Sequence, residues 1–321
     1  MTYSVTPLTQ ILRDEIARKG PIPFSRFMEL ALYHPEYGYY MRPADPFGAH
    51  GDFYTAEQVQ PVFGRLIAAY FEQLAQPPAR TLVEFGAGRQ EMAPHFSRFD
   101  YVPVDVGFGV MPERFSGFVF ANEFLDALPV DVVVRRGAEL LELRVGRDGD
   151  CFSWCECGVA TDEARAFVAE AVGELPEGGR AEVCLTALDW IRRIAKALEG
   201  GYALFIDYGY TRREAIRFPE GTLMTYRRHQ ASDSVLEDPG HRDITAHVAF
   251  SAIESEARRC GFEVAHFENL ASALLRAGEP DQFAGALASS GEKESMRLRM
   301  QLKTLLFGMG ETFRTLLLRK V

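Results

Sequence analysis

The sequence predicts an α/β fold with a mostly parallel, Rossmann-like sheet, and two observations support this. A short apolar run, LVEF, ends at an acid and continues into two glycines one residue apart, Gly86 and Gly88. Along residues 79–321, apolar runs of strand length alternate with segments of helical periodicity. Such alternation is typical of parallel strands connected by helices. The 321 residues are enough for one large α/β domain with insertions or for two domains that share a cleft.

The first 78 residues are expected to form an added helical segment and a long loop. Helical periodicity covers residues 5–19, 24–33 and 57–75. Residues 33–55 are rich in Pro, Gly and aromatic side chains and show little periodicity. Long structured loops of this kind are often functional, so residues 33–55 are expected to cover a site of the main domain.

The main domain, residues 79–321, is predicted to consist of the following elements. The strands are 81–85, 101–105, 117–121, 201–210 and 261–267, and the helices are 89–98, 161–173, 185–199 and 247–260. An antiparallel insertion around 130–180 contains three strands separated by Gly/Asp turns. A helical segment around 271–307 (helices 271–277, 281–289 and 293–307) precedes a last strand or helix at 311–320.

Composition and charge restrict the partners and the location. The net charge is −10, from 35 basic and 45 acidic residues, which disfavours nucleic acid as a partner. No apolar run approaches the roughly 18 residues that a transmembrane helix needs. The N-terminal residues carry acids and lack the pattern of a targeting peptide. We therefore expect no membrane insertion and a cytoplasmic location.

The five cysteines do not suggest a disulfide framework. Three of them, Cys151, Cys155 and Cys157, share one face of a predicted strand. Their spacing allows a zinc interpretation, but no second pair of cysteines or histidines lies nearby in the sequence. We expect these thiols to pack in the core and expect no metal site.

The glycine turn after the first strand restricts the cofactor. A dinucleotide fingerprint would need a third glycine at position 91, where this chain has Glu91. A P-loop would need Gly-Lys-Ser/Thr, which is also absent. The pattern is instead acid-x-Gly-x-Gly, beginning at Glu84. This pattern suits S-adenosyl-L-methionine, because a carboxylate attracts its cationic part and glycines let the backbone approach the nucleoside.

A second acid, Asp105, closes the next predicted strand, 19 residues after Gly86. A carboxylate at about this distance commonly accepts hydrogen bonds from ribose hydroxyls. The alternative is a tight turn in which Asp105 caps a helix. Together with Glu84, Asp105 favours the cofactor interpretation.

Six segments in the same order resemble the MidA family. They are GPIPFSRFMELALYHPEYGYY, GDFYTAEQVQPVFG, ANEFLDALPV, LFIDYGY, GTLMTYRRH and DPGHRDITAHVAFSAI. The resemblance implies a class I S-adenosylmethionine-dependent methyltransferase. Mitochondrial members of the family assist complex I assembly by methylating an arginine of one subunit. A protein substrate, such as a respiratory complex subunit, is therefore implied here.

The resemblance also assigns roles to individual residues. The implied cofactor-binding residues are Gly51, Asp52, Phe53, Thr55, Glu84, Gly86, Ala87, Gly88 and Asn122. The segment NEFLDALP corresponds to a strand-end motif facing the transferred methyl, which implicates Glu123 and Asp126 in catalysis. The segment DITAHV implies that Asp243, Thr245 and His247 flank the same cleft.

The chemistry of a guanidinium acceptor fits these acids. A guanidinium stays protonated near neutral pH, and carboxylates can fork onto its N–H groups. If residues 122–128 begin a helix, Glu123 and Asp126 lie on one face of it. The alternative is that Asn122 caps this turn and the acids stabilise its first turn.

Three further residues have open alternatives. His247 could accept the released proton, or it could lie in the first turn of a helix capped by Thr245. Asp207 and Tyr208 end a strand on the side where such sheets bind ligands, so they could line the substrate site or form a turn. The basic trio at 227–229 is expected to be a solvated surface.

The chain departs from the family pattern at three places. Gln90 follows GAGR, where the family usually has glycine, and Asp105 replaces the usual glutamate. Only residues 106–116 separate the second strand from the third, an interval in which the family normally has a helix and a strand. A non-catalytic assembly scaffold with a degenerate cofactor site and a methyltransferase of small molecules therefore remain as alternatives. A nicotinamide oxidoreductase is disfavoured by Glu91.

Overall fold

A computed structural model of the protein describes residues 6–42, 61–227 and 230–321. Contacts among these residues divide the chain into two compact units. The first unit contains the described parts of residues 1–53, 126–189 and 210–253, and the second those of 54–125, 190–209 and 254–321. The sequence suggests a single boundary near residue 78, whereas the chain passes repeatedly from one unit to the other.

The elements of the described residues are numbered in chain order. The helices are α1 (Pro7–Lys19), α2 (Phe24–Tyr33), α3 (Pro61–Gln73), α4 (Asp162–Ala171), α5 (Leu185–Ala197), α6 (Phe250–Arg259), α7 (Leu270–Gly278) and α8 (Glu292–Phe307). The strands up to residue 159 are β1 (Ile22–Pro23), β2 (Thr81–Phe85), β3 (Asp100–Val104), β4 (Phe115–Asn122), β5 (Asp131–Arg136), β6 (Glu139–Asp148) and β7 (Cys151–Val159). The later strands are β8 (Arg180–Val183), β9 (Leu198–Tyr210), β10 (Met224–Arg227), β11 (Gln230–Ser232), β12 (Asp243–Thr245), β13 (Val248–Ala249), β14 (Phe262–Asn269) and β15 (Phe313–Lys320).

The first unit contains the predicted antiparallel insertion, which is confirmed. Its main sheet has the order β1-β6-β5-β8, and β7 also pairs with β6. Helices α1 and α2 bury their apolar faces in the core of this unit, where the ring of Phe24 lies 4.9 Å from that of Trp154. The ring of Phe27 lies 5.4 Å from that of Phe152. A smaller sheet has the order β11-β10-β12.

Strand β7, which contains the three cysteines, buries the opposite face from the one expected. Phe152 and Trp154 pack against the core, whereas Cys151 is exposed and Cys155 is partly exposed. The two faces of a strand compete for burial, and the large aromatic rings remove more apolar area from water than thiols do. The prediction that these thiols pack in the core is wrong. Among the residues that the structure describes, no group of His, Cys, Asp and Glu side chains could hold a metal ion.

The second unit contains the predicted, mostly parallel sheet, which is confirmed. Six of its strands have the order β14-β15-β9-β4-β2-β3. Strand β2 runs parallel to β3 and β4, and β4 runs parallel to β9. The last element, β15, is a strand that pairs antiparallel with both β9 and β14. The carboxyl ends of β2, β3 and β4 therefore lie at one edge of this sheet.

Helices α3, α7 and α8 contribute to the core of the second unit, together with one face of the sheet. The buried residues include Phe71, Phe118 and Phe120, and the ring of Phe71 lies 5.0 Å from that of Phe118. In the described part of the chain, no helix combines the length and apolar character that crossing a membrane requires.

Two predicted elements differ from the structure outside the site. The helix expected at 281–289 is absent, because Gln282 and Phe283 adopt left-handed φ angles of 54° and 63° that interrupt helical hydrogen bonding. The helix expected at 247–260 begins only at Phe250. Strands β8, β10, β11 and β12 were not predicted, since each has only three or four residues.

Candidate active site

The glycine turn after β2 needs both of its glycines. Gly86 and Gly88 have φ angles of +69° and +47°, in the left-handed region that favours glycine. The N–H groups of Gly86 and Ala87 both point to the carbonyl oxygen of Val104 at the end of β3, at 3.0 and 3.4 Å. The turn is thereby fixed to the neighbouring strand.

A β-carbon at either glycine would not collide with the surrounding protein. At Gly86 its nearest neighbour would be Phe124 at 3.5 Å, and at Gly88 the nearest would be the Gly86 carbonyl oxygen at 3.9 Å. The backbone conformation therefore demands glycine, and among the described residues the turn is not crowded by side chains.

Asp105 lies beside this turn and organises it. One of its carboxylate oxygens accepts a hydrogen bond from the Gly88 N–H at 2.6 Å, and the other accepts from the Val106 N–H at 2.5 Å. Asp105 does not cap a helix, because the chain continues into a short bridge with Phe108. The two residues that the sequence linked to one cofactor, Asp105 and Gly88, are thus in direct contact.

Glu84 is a buried carboxyl group at the end of β2, with 2% of its surface exposed. The Tyr101 hydroxyl donates a hydrogen bond to it at 2.6 Å. Burial raises the pKa of Glu84 to about 8, although the Tyr101 hydrogen bond lowers it, and the negative charges of Glu91 and Asp105 raise it further. Without a nearby cation, Glu84 therefore keeps its proton near neutral pH.

The helix predicted at 89–98 is not formed. Residues 91–98 form successive turns instead. Pro94 has no N–H to donate to the Gln90 carbonyl, and the Ala93 N–H donates to that oxygen at 3.1 Å. Gln90 itself has a left-handed φ of +59°, a conformation that glycine adopts without strain. The turn therefore lacks a helix N-terminus, the feature that commonly binds phosphate.

Asn122 and Glu123 lie where β4 ends. Asn122 is 6% exposed, and its side-chain amide donates to a Glu123 carboxylate oxygen at 3.2 Å. Glu123 has a left-handed φ of +50°, and its N–H donates to the Ile206 carbonyl oxygen at 2.9 Å. Strained backbone of this kind concentrates at functional sites, where the surroundings hold it in place.

Residues 122–128 do not form a helix. The condition under which Glu123 and Asp126 would share a helix face is therefore not met. The segment is held by Asp207, whose carboxylate accepts from the Leu125 N–H and the Tyr208 N–H, both at 2.9 Å. Asp207 is 1% exposed, so its visible contacts fix the backbone at the ends of β4 and β9.

Aromatic side chains of the second unit lie near the ends of these strands. The ring of Tyr208 lies 3.9 Å from that of Phe313 and packs against the core. Phe124, beside Gly86, stacks on Phe85 at 5.6 Å, and both rings contact Trp190.

Both the sequence and the structure are similar to those of known methyltransferases. A family model of S-adenosyl-L-methionine-dependent methyltransferases matches residues 100–268, more than half of the chain. The chain belongs to this family. A crystal structure of a Burkholderia thailandensis protein bound to S-adenosyl-homocysteine is 31% identical with a TM-score of 0.89. The match covers 98% of the present methyltransferase and 92% of that chain.

Curated relatives of the methyltransferase carry more specific names. The Drosophila melanogaster protein, named "Protein arginine methyltransferase NDUFAF7 homolog, mitochondrial", is 27% identical over 79% of this chain and 70% of its own length. The Xenopus laevis protein arginine methyltransferase NDUFAF7 is 26% identical over 80% of this chain and 72% of its own length. These names agree with the resemblance to the MidA family.

The predicted cytoplasmic location is contradicted by the same comparison. The relatives from Drosophila, Xenopus and Mus musculus are all named as mitochondrial proteins. The acidic residues near the N-terminus of the methyltransferase were an insufficient basis for that prediction, since they describe one short segment only.

The first unit of the methyltransferase contains two of the predicted acids. Asp243 is 3% exposed and accepts hydrogen bonds from the Tyr40 hydroxyl at 2.9 Å and the Ile244 N–H at 3.0 Å. Desolvation raises the pKa of Tyr40 well above its usual value, and the charge of Asp243 adds to this. Asp126 is also buried, and its carbonyl oxygen accepts from the Ala246 N–H at 3.0 Å.

Thr245 and His247 also lie in this unit. Thr245 pairs with Met224 between β12 and β10. The backbone N–H of His247 donates to the Thr222 hydroxyl at 3.0 Å. The imidazole ring lies edge-on to the ring of Phe218, with 5.3 Å between the ring centres. Burial lowers the pKa of His247, so the neutral imidazole is favoured near pH 7. His247 precedes α6, so it is not in the first turn of that helix.

The sequence reasoning missed Tyr101, Phe124 and Trp190. Tyr101 could have been found from the sequence. It lies four residues before Asp105, so the two side chains are expected on the same face of a strand that neighbours Glu84. Phe124 and Trp190 come together only through the fold. The predicted cofactor residues Gly51, Asp52, Phe53 and Thr55, and most of the basic trio at 227–229, lie outside the described residues.

Proposed function

We propose that this methyltransferase transfers a methyl group to an arginine side chain of a protein. The observation that carries the proposal is the buried Glu84 beside an open, side-chain-free turn that Asp105 holds in place. The arginine methyltransferase names of the relatives support the choice of acceptor.

The residues at this edge fit S-adenosyl-L-methionine. Gly86 and Gly88 leave room beside the turn, and Glu84 is a buried acid that a cation would ionise. The turn offers no helix N-terminus, in agreement with a cofactor that has no phosphate. When bound, the cofactor supplies an electrophilic methyl group on a sulfonium. Asp105, Gly86, Ala87 and Gly88 would hold its nucleoside, and Glu84 would face its cationic portion.

Glu123 is proposed as the catalytic carboxylate. Its position at the end of β4 is fixed through the Ile206 carbonyl, and its charge can fork onto guanidinium N–H groups. In this role it localises the positive charge of the acceptor and takes the proton that the methylated nitrogen gives up. Asp126 and His247 remain predictions for catalysis, in which the neutral His247 could accept a proton. Asp207, Tyr208, Asp243 and Thr245 remain predictions for lining the substrate site.

The protein substrate is proposed to be a subunit of a respiratory complex. The support is the resemblance to the MidA family, whose mitochondrial members act in complex I assembly. The net charge of −10 also suits a basic, arginine-containing segment as the acceptor.

The test compares Glu123→Gln with Glu311→Gln, a control at an exposed acid of the second unit. We expect Glu123→Gln to lower kcat/KM by about 100-fold or more while binding S-adenosyl-homocysteine within about threefold of wild type. Full activity of Glu123→Gln would refute its catalytic role. Wild-type protein that gives no heat with S-adenosyl-L-methionine would favour the scaffold alternative, and radiolabel only in solvent-extractable fractions would favour a small-molecule acceptor.

A further inference from the structure

The orientation of the Asn122 side chain is fixed by its neighbour. A carboxylate can only accept hydrogen bonds, so the amide nitrogen of Asn122 must face Glu123 at 3.2 Å. The amide oxygen, Oδ1, therefore points away from Glu123. Asn122 is the last residue of β4, and its amide cannot rotate without losing this bond.

Asn122 Oδ1 is buried, and it has no hydrogen-bond partner among residues 6–42, 61–227 and 230–321. The whole residue is 6% exposed. Buried side-chain oxygens are nearly always paired, and an unpaired one calls for an explanation. A ligand that donates a hydrogen bond at this point would supply the missing partner.

The neighbouring groups define the chemistry of that donor. Oδ1 accepts only, and the adjacent Glu123 carboxylate is negative, so the ligand should be a cation that carries several N–H groups. A guanidinium presents its N–H donors in a planar fork, which can reach two acceptors on adjacent side chains. An ammonium carries three donors on one nitrogen and gives no such spread.

We propose that Asn122 Oδ1 accepts an N–H of the substrate guanidinium while Glu123 binds the same group, so that Asn122 selects arginine and orients it. This inference rests on the proposed function and changes the predicted role of Asn122 from cofactor binding to substrate binding. The two acceptors lie on consecutive residues at the end of β4, where Glu123 has a left-handed φ of +50°.

The test uses Asn122→Leu, which keeps the side-chain size and removes the amide. The control is Asn269→Leu, because Asn269 Oδ1 accepts from the Ser272 N–H at 2.9 Å and caps α7. The probes are a glycine- and arginine-rich peptide and the same peptide with citrulline in place of arginine. Binding of each is measured by fluorescence anisotropy with S-adenosyl-homocysteine present, alongside the affinity for S-adenosyl-homocysteine and the Tm.

We expect wild type to bind the arginine peptide at least about tenfold more tightly than the citrulline peptide. Asn122→Leu should lose most of this preference, with an unchanged or higher Tm and an unchanged affinity for S-adenosyl-homocysteine. Asn269→Leu should lower the Tm and keep the preference.

Two outcomes would overturn the inference alone. One is an Asn122→Leu protein that keeps the full preference for arginine, and the other is a matching loss of affinity for S-adenosyl-homocysteine, which would return Asn122 to the cofactor site. A wild-type protein that binds the two peptides equally would instead refute the arginine specificity of the proposed function, and the inference with it.

Discussion

Two buried glutamates in different units show what separates a binding site from a structural contact. Glu182 on β8 of the first unit is 5% exposed, and Glu84 on β2 of the second unit is 2% exposed. Glu182 accepts two hydrogen bonds from Thr222, one from its N–H and one from its hydroxyl, both at 2.9 Å. Glu84 accepts a hydrogen bond from the hydroxyl of Tyr101 at 2.6 Å.

The space around the two acids differs as well. A β-carbon on Gly221 would lie 2.2 Å from a carboxylate oxygen of Glu182, so this acid is enclosed by the protein. At the glycines that follow Glu84, a β-carbon would come no closer than 3.5 Å to any described residue beyond its chain neighbours. Burial raises the pKa of both acids, but in the described part of the chain the glycines after Glu84 are less crowded than Gly221 beside Glu182. Both units therefore contain a buried glutamate. The candidate site differs in that the glycines next to Glu84 are not crowded by other described residues.

The largest expected effect comes from Glu84→Gln. Removing the charge should weaken binding of S-adenosyl-L-methionine by about 1.5–3 kcal/mol, roughly 10–150-fold, because a charge-assisted contact to the cation is lost. Calorimetric titration measures this change. Glu182→Gln is the matched control and should leave binding unchanged. Equal binding by Glu84→Gln and wild type would contradict a role of Glu84 in cofactor binding.

The same variant should change the pH dependence of stability. The pKa of Glu84 is about 8 in the folded protein against an ordinary value of 4.5. Between these values the folded state holds a proton that the unfolded state has released, so the stability of the free wild type falls as pH rises. Glu84→Gln lacks this contribution, so its stability advantage over wild type should grow from pH 5 to pH 8 in urea unfolding. A constant difference would contradict the raised pKa.

An intermediate effect is expected from Thr222→Val, which tests the structural side of the comparison. The change removes the hydroxyl that donates to Glu182 and accepts from the His247 N–H. Stability should fall by about 1–3 kcal/mol because buried groups lose their partners, with cofactor affinity retained. Chemical denaturation measures the loss, and unchanged stability would show that Glu182 does not need this partner.

The smallest effect is expected from Gln90→Gly. Gln90 has a φ of +59°, a conformation that glycine adopts without strain. We expect the variant to gain about 0.5–1 kcal/mol of stability from relief of this strain. Thermal unfolding at several protein concentrations checks it. A destabilised variant would mean that the flexibility gained in the unfolded chain outweighs the strain.

The sequence predicted the frame of the second unit well, because its signals are local. Strand 81–85 was predicted with its observed bounds, and the glycine pattern identified the turn beside it. The family match over residues 100–268 agrees with the motif order that suggested the methyltransferase. Residues 106–116 are too few for a further helix and strand, and in the described sheet β3 is indeed the last strand on its side.

One error is local, whereas the others arose where distant residues decide the local structure. Pro94 prevents the helix at 89–98, and its presence in the sequence could have indicated this. A helix at 122–128 was one possibility, but Asp207 holds this segment in another conformation through the Leu125 N–H from more than 80 positions away. The strand with three cysteines faces the core with its aromatic side because α2 supplies Phe24 and Phe27 there. No local pattern contains such information.

The most direct measurement is the number of protons exchanged when S-adenosyl-L-methionine binds. Titration calorimetry at pH 7 in two buffers with different heats of ionisation yields this number. If the buried carboxyl group must ionise to receive the cation, wild type should release about one proton per bound molecule, and Glu84→Gln should release none. Binding by wild type without proton release would contradict the assignment of Glu84 as the group that receives the cation.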